Sequence, residues 1–246
     1  FYWKMYQELA LVATDKGCMA AVEILKHDME NNFILPRVQE EHTVDALVVM
    51  GEISREYIHF MKERTDVPMI FLDFYDKELA NDAVITDNFY GMYLMTGYLF
   101  EQGFTKMAYV GSIHATSSIM DRYCGFYKAQ LEHGQALPDE WLIEDRDEKG
   151  AMSIRLPEHM PEAFVCNCDL AAGMLIMELE KQGYRVPEDI SVVGFDNYLY
   201  PGFPDKKITS YEVNTQAMAK VALEKALKQI KNPASGRGLS IVSGKI

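Results

Sequence analysis

Basic residues are scarce in this sequence. Lysine and arginine number 24 against 37 aspartates and glutamates, a formal net charge of −13. A dominant basic face for nucleic acid is therefore not expected on this chain. The acidic balance favours solubility and says little about fold. Cysteine is scarce too, with only Cys18, Cys124, Cys166 and Cys168. Their spacing makes no zinc set, because the Cys166-x-Cys168 pair has no second ligand pair nearby. Their apolar surroundings suit buried free thiols in a reducing compartment. No apolar run is long enough to span a bilayer, and no secretion signal is visible. The six histidines are scattered, without the paired spacing of a metal site. Neither a Gly-x-Ser-x-Gly turn nor a phosphate loop occurs, and nothing supplies a nucleophile with an adjacent base. Neither a metal nor a cofactor is expected.

What the sequence does have is apolar mass and a regular alternation. Hydrophobic residues make up 48% and aromatics 11% of 246 residues, enough for one large domain or two small ones. Short β-rich runs alternate with amphipathic helical runs. Strands are predicted over 19–25, 45–50 ("DALVVM"), 69–74 ("MIFLDF"), 84–86, 107–112 ("MAYVGS"), 140–144, 163–167 ("AFVCN"), 190–195, 208–213 and 239–242. Helices are predicted over 32–41, 54–64, 88–102, 117–132, 170–182 and 216–230, several of them closed by a glycine. Strict alternation implies parallel sheets covered on both faces, and about a dozen elements fit two sheets better than one.

In open parallel sheets, ligands bind beyond the carboxyl ends of the strands. Several predicted strands end there in polar residues: Asp73, Ser112, Asn167 with Asp169, and Asp196 with Asn197. The run "PEDISVVGFDN" carries four buried-type residues into an Asp-Asn pair. Asp196 is expected to face a ligand with hydrogen-bond donors such as hydroxyls, or alternatively to cap the following loop.

The stretches "VDALVVMG", "VPMIFLD", "TDNFYGMYLMTGYLFEQGFTKMAYVGS", "SSIMDRYCGFYKAQLEHG", "NCDLAAGMLIMELEKQGYRVPEDISVVGFDN" and "ITSYEVNTQAMAKVALEKAL" together resemble the effector-binding core of the LacI/GalR family of bacterial transcription regulators. The resemblance covers nearly the whole chain. It implies an α/β, periplasmic-binding-protein-like fold, with two doubly wound parallel-sheet subdomains, a hinge and an interdomain cleft. One subdomain would comprise 1–103 plus 213–237, the other 104–212 plus 238–246. The family's helix-turn-helix and first core strand would precede Phe1, and a usual helix within 146–160 would be reduced.

The same resemblance proposes site residues. Arg122 matches the effector-contacting arginine of an "R-x-x-G-F" pattern; its fixed donors can bridge vicinal hydroxyls or grip a carboxylate. A salt bridge with Asp121 is the alternative. Asp196 matches an acidic residue that accepts from sugar hydroxyls. Asp169 matches an aspartate that follows an asparagine, here replaced by Cys168, a weak donor; Asp169 could instead cap the next helix. Phe1, Tyr2 and Met5 fall where the first helix would line the cleft, or else in core or dimer surface. Tyr90, Thr116 and Ser118 are further candidates, and Asp87 and Asn88 read as helix caps. Arg146, if turned inward beside Arg122, would suit an anionic effector; on the surface it would do nothing of the kind.

The expected function is effector sensing by a LacI-type DNA-binding regulator, a repressor of cytoplasmic location. The effector would be a small molecule, most simply a sugar. Operator DNA would be held through the preceding helix-turn-helix, a homodimer is implied, and no membrane partner is. A sugar transporter's solute-binding protein shares the implied fold and is the first alternative; an α/β enzyme is the second.

Overall fold

The computed structural model describes residues 1–77, 82–203 and 208–246. In chain order the elements are α1 (Tyr2–Asp15), α2 (His27–Asn31), α3 (Arg37–Glu40), β1 (Leu47–Met50), α4 (Arg55–Lys62), β2 (Met69–Leu72), β3 (Asp82–Thr86), α5 (Asn88–Glu101), β4 (Met107–Val110), α6 (Ser117–Glu132), β5 (Leu142–Ile143), β6 (Ala163–Cys166), α7 (Asp169–Lys181), β7 (Ser191–Asp196), β8 (Thr209–Glu212), α8 (Thr215–Lys231) and β9 (Leu239–Val242). They build two sheets, ordered β1-β2-β3-β9 and β5-β4-β6-β7-β8. Every strand pair within them is parallel. The apolar runs explain this: β2, β4 and β6 are buried at every position, as strands covered on both faces must be.

The chain divides into two compact units. The first-sheet unit holds Tyr2–Thr86 and Asn214–Val242; the second-sheet unit holds Phe1, Asp87–Val213 and Ser243–Ile246. Two expected boundaries are corrected. Helix α5 belongs to the second-sheet unit, so the first division falls after Thr86 and not at 103. Strand β9 belongs to the first-sheet unit because it pairs with β3, Ala83 opposite Leu239 through Thr86 opposite Val242. Buried Asp82 fixes that register: it accepts from Lys225 Nζ (2.8 Å), Gln229 Nε2 (3.0 Å) and the Gly238 amide (3.0 Å), tying α8 and the approach to β9 onto the start of β3. Burial alone would raise its pKa, but these three partners hold it below the ordinary value.

Three expected elements differ. No strand forms over 19–25; the stretch has no regular structure, with Met19 96% and Ile24 77% exposed. A strand exists only as a pair, and among the described residues none pairs with it. The helix expected over 32–41 shrinks to α3: Phe33 turns with φ of 52°, and Pro36, which lacks an N–H, stands as the N-cap of α3. The strand expected over 140–144 shrinks to β5, because Asp139–Trp141 is a 3-10 turn entered from Pro138.

Helices α5 and α6 approach closely, and Gly125 allows it. A methyl at Gly125 would collide with the Phe89 carbonyl oxygen and press the Tyr93 amide at 3.0 Å. The glycine of the "R-x-x-G-F" pattern is therefore a packing requirement: it brings α6 onto the backbone of α5 and sets Arg122 within reach of Asn88. Gly125→Ala is expected to cost roughly 1–3 kcal/mol by overpacking, read as a lower urea midpoint. An unchanged midpoint would show that the close approach is dispensable.

Candidate functional site

The carboxyl ends of β4, β6 and β7 lie side by side in the second sheet, and their terminal residues form a connected polar edge. Arg122 enters it from the second turn of α6. Its Nε donates to Asn88 Oδ1 (2.8 Å) and its Nη1 to the Asn167 carbonyl (2.7 Å). Its Nη2 lies 3.5 Å from Asp196 Oδ1, and its guanidinium stacks 3.9 Å above the Phe195 ring. Both side chains of the Arg122–Asp196 pair are only 6% exposed. Arg122 thus joins α5, α6, β6 and β7. A charge buried to this degree needs its partner, because removal of one member of such a pair costs about 3–5 kcal/mol.

The edge continues away from Asp196 through Asn167. Its Nδ2 donates to the Val110 carbonyl (3.0 Å) and to Asp145 Oδ2 (2.7 Å). Asp145 is fully buried and also accepts from the Ser112 amide (3.0 Å) and from Arg146 Nε and Nη2 (2.9 and 3.1 Å). Burial pushes Asp145 up, but the forked Arg146 and the Ser112 bonds outweigh it and hold the carboxyl below its usual value. Arg146 is therefore committed to Asp145. The groove beside it, lined by Glu140, Glu144, Asp147, Lys149 and Arg155, carries both signs of charge and gives no net attraction to an anion.

Asp169 neither caps its own helix nor opens to solvent. Its Oδ1 accepts from Ser210 Oγ (2.7 Å) and its Oδ2 from the Tyr198 amide (2.8 Å), so the start of α7 is tied to β8 and to the loop after β7. Gly194 makes room for it: a methyl there would collide with Asp169 Oδ1. Burial raises the Asp169 carboxyl to about 6, against the lowering effect of Ser210 and Tyr198. Cys168 is pushed up to about 12, first by burial and then by Asp196. It is a neutral thiol at the position where the family resemblance expects an amide.

The remaining candidates separate. Ser118 is buried and accepts from Asn88 Nδ2 (3.3 Å); Thr116 caps α6 by accepting from the Ile119 amide (3.2 Å). Asp87 caps α5, as expected, by accepting from the Tyr90 amide. Tyr90 itself is 49% exposed and stacks on Tyr93. Phe1 meets Tyr198 edge to face at 6.4 Å. Tyr2 lies at the carboxyl edge of the first sheet, where its hydroxyl donates to Asp73 Oδ2 (2.9 Å) and its ring covers Gly51. Met5 is corrected: it is fully buried in the core of the first-sheet unit and has no surface with which to line a site. Sequence reasoning missed Asp145, Tyr198 and Tyr200. Asp145 follows the apolar pair Leu142–Ile143 and obeys the same rule that singled out Asp196, but β5 is too short to read as a strand end.

The raised Asp169 carboxyl gives a signed pH prediction. A carboxylate whose folded pKa lies above its unfolded value withdraws stability as pH rises from about 4 to 6 and by a constant amount above that. Asp169→Asn removes the titration and keeps one of the two acceptor oxygens that Ser210 and the Tyr198 amide use, an offset that does not vary with pH. The stability difference, variant minus wild type, should rise across pH 4–6 and level off near 7 in urea titrations at each pH. A difference that falls over this window would reverse the assignment.

Residues 96–244 match the family described as the periplasmic binding protein-like domain. The HTH-type transcriptional repressor PurR of Aliivibrio salmonicida (strain LFI1238) is 29% identical over 202 residues, 80% of this chain and 61% of its own length. The chain therefore spans less than two thirds of that relative. Among solved structures, a LacI family transcriptional regulator from Enterococcus faecium with bound ribose aligns with a TM-score of 0.77 at 20% identity, over 99% of this chain and 91% of that one. A periplasmic binding protein/LacI transcriptional regulator from Alkaliphilus metalliredigens QYMF, complexed with D-xylulofuranose, aligns at 0.75 and 19%, over 98% and 90%. These structural likenesses establish the fold. The family match spans more than half of the chain, and it leads to one conclusion: the chain belongs to the periplasmic binding protein-like domain family.

Proposed function

We propose that this core senses a small neutral polar molecule, a sugar, for a transcriptional repressor acting in the cytoplasm. The observation that carries the reading is Asp196: a charged acceptor at the carboxyl end of a buried strand, held in place by Arg122 and Phe195. Two supports come from similar proteins. The curated relative is a repressor, and two structural neighbours are regulators that hold ribose and D-xylulofuranose. Operator DNA would be bound by a part of the protein outside this chain, in a homodimer. An effector alters operator affinity only as far as it binds one conformational state better than another.

Arg122 takes a different role from the one its motif first suggested. Its donors are engaged with Asn88, Asn167 and Asp196, so it orients the acceptor and fixes the edge. Arg122→Ala is therefore expected to lower stability as well as binding; Asp196→Asn keeps an oxygen acceptor but takes the charge partner from Arg122, so the unliganded Tm of each variant is read beside its binding. A thermal-shift screen with D-ribose, D-glucose, cellobiose, glucose 6-phosphate and adenine, followed by calorimetry, should give a neutral sugar as the hit. A ligand at about 100 times its Kd adds roughly 2.7 kcal/mol of stability. Asp196→Asn should abolish that shift. Retained affinity in Asp196→Asn would overturn the site, and turnover of any of these compounds would overturn the sensor reading.

A further inference from the structure

The second sheet has an open edge at β5, and the chain builds a groove beside it. Strand β5 pairs with β4 on one side and ends the sheet order. The Ile143 carbonyl accepts from the Gly111 amide, so Ile143 serves β4 and its neighbours Leu142 and Glu144 turn their peptide groups outward. The chain then folds back. A turn at 147–151, with Gly150 at φ of 80°, returns it antiparallel, so that Arg146 stands opposite Met152 and the Ser153 amide donates to the Asp145 carbonyl (2.9 Å). Beyond Ser153 this short ladder opens. Met152, Ile154 and Leu156 turn inward against the core, while Ser153 and Arg155 face outward, the alternation of an extended chain. That packing draws the 153–157 strap away from β5, and Pro157 has no amide to offer an edge. Strap and edge are tied again farther along, where Glu140 accepts from the His159 amide (3.2 Å) and Trp141 Nε1 donates to the His159 carbonyl (2.8 Å). Between the two ties lies a groove of about 710 Å³. Among the described residues, the amides of Glu144, Ile154, Arg155 and Leu156 meet no acceptor in the chain.

We propose that this groove docks an extended, basic segment of a partner protein, which adds to β5 as a further strand. The proposal does not depend on the effector site. An open edge recognises extended backbone through its own amides and carbonyls, and alternate side chains of the added strand supply the selectivity. The charge bordering the groove is unequal. Glu140, Glu144, Asp147 and Glu148 face only Lys149 and Arg155, because Arg146 is committed to Asp145. Lysines or arginines on one face of the segment would meet these carboxylates, and apolar residues on the other would cover the half-buried Leu142 and Leu156. A second copy of this chain fits poorly: its β5 brings the same Glu140 and Glu144 into opposition, within a chain of formal charge −13. The side chains that guard the edge against self-pairing are thus the ones that select a cationic partner.

The test titrates the whole chain with three fluorescein-labelled probes, read by anisotropy at low salt. They are Lys-Val-Lys-Val-Lys-Val-Lys, the same peptide fully N-methylated, and Glu-Val-Glu-Val-Glu-Val-Glu. The unliganded Tm checks that each variant is folded. The basic peptide is expected to bind, to weaken about ten-fold in Glu144→Lys and to tighten in Arg155→Glu. Neither of the other two probes should bind at the same concentrations, and hydrogen exchange at the Glu144 amide should slow in the complex. Equal binding of the N-methylated peptide would reduce the contact to charge alone and overturn strand addition. Equal binding of the acidic peptide, indifference to Glu144→Lys, or no binding of the basic peptide would each overturn the proposal. Sedimentation of the unliganded chain that changes association state on Glu144→Lys would place a second copy on the edge and overturn the partner.

Discussion

A guanidinium taken out of water must be met on every side, and the second-sheet unit is arranged around that requirement. Arg122 finds an amide oxygen on α5, a backbone carbonyl at the end of β6, a carboxylate at the end of β7 and a ring face from the same strand. None of these partners can move far without leaving the charge poorly met, which would cost several kcal/mol in a low-dielectric setting. The packing of α5 on α6 through Gly125 is the geometric counterpart. It shortens the helix separation until Asn88 and Arg122 can bond, and it turns a motif glycine into a condition for the position of the charge.

The other half of the edge follows the same logic with the signs exchanged. Asp145 is the fully buried anion, and Ser112, Asn167 and Arg146 are its donors. Asn167 joins the halves: its side chain serves Asp145 and its carbonyl serves Arg122. One strand end thus holds a cation on one side and an anion on the other, which favours a rigid, fully bonded network over a set of independent ligands. Asp196 lies at the end of this network, where its acceptor is oriented by groups that do not themselves need to touch a ligand.

Much of the architecture was legible because buried parallel strands are written as continuous apolar runs. "MIFL", "MAYV" and "AFVC" become strands, and the 117–132 helix has the bounds its capping residue and terminal glycine suggest. What was not legible depended on pairing. The membership of β9 is settled by Asp82, Lys225 and Gln229 across the tertiary structure, and no local pattern reports that. The stretch 19–25 has strand composition and no strand, because composition supplies no partner. In the site, Arg122 and Asp196 stood out by motif and strand end. The role of Asp169 did not: a carboxylate before a helix looks the same in sequence whether it caps that helix or braces a neighbouring loop. Met5 illustrates the limit of placing residues by helix alone, since the buried and exposed faces of α1 are separated by a single residue step.

The pairing of β3 with β9 also sets an order of assembly. These two strands meet across most of the chain, with Ala83 opposite Leu239, whereas the second-sheet unit is built almost wholly from the continuous segment Asp87–Val213. During synthesis that continuous segment has all but its last few residues available while the first sheet still lacks its closing strand. Closing so long a loop costs entropy that only the finished contacts return, and pairings of this separation form slowly. Until α8 and β9 have emerged, β3 offers an open edge and Asp82 lacks the Lys225, Gln229 and Gly238 partners that satisfy it. The nascent first-sheet unit is thus exposed to aberrant strand pairing and to chaperone capture until α8 and β9 join it.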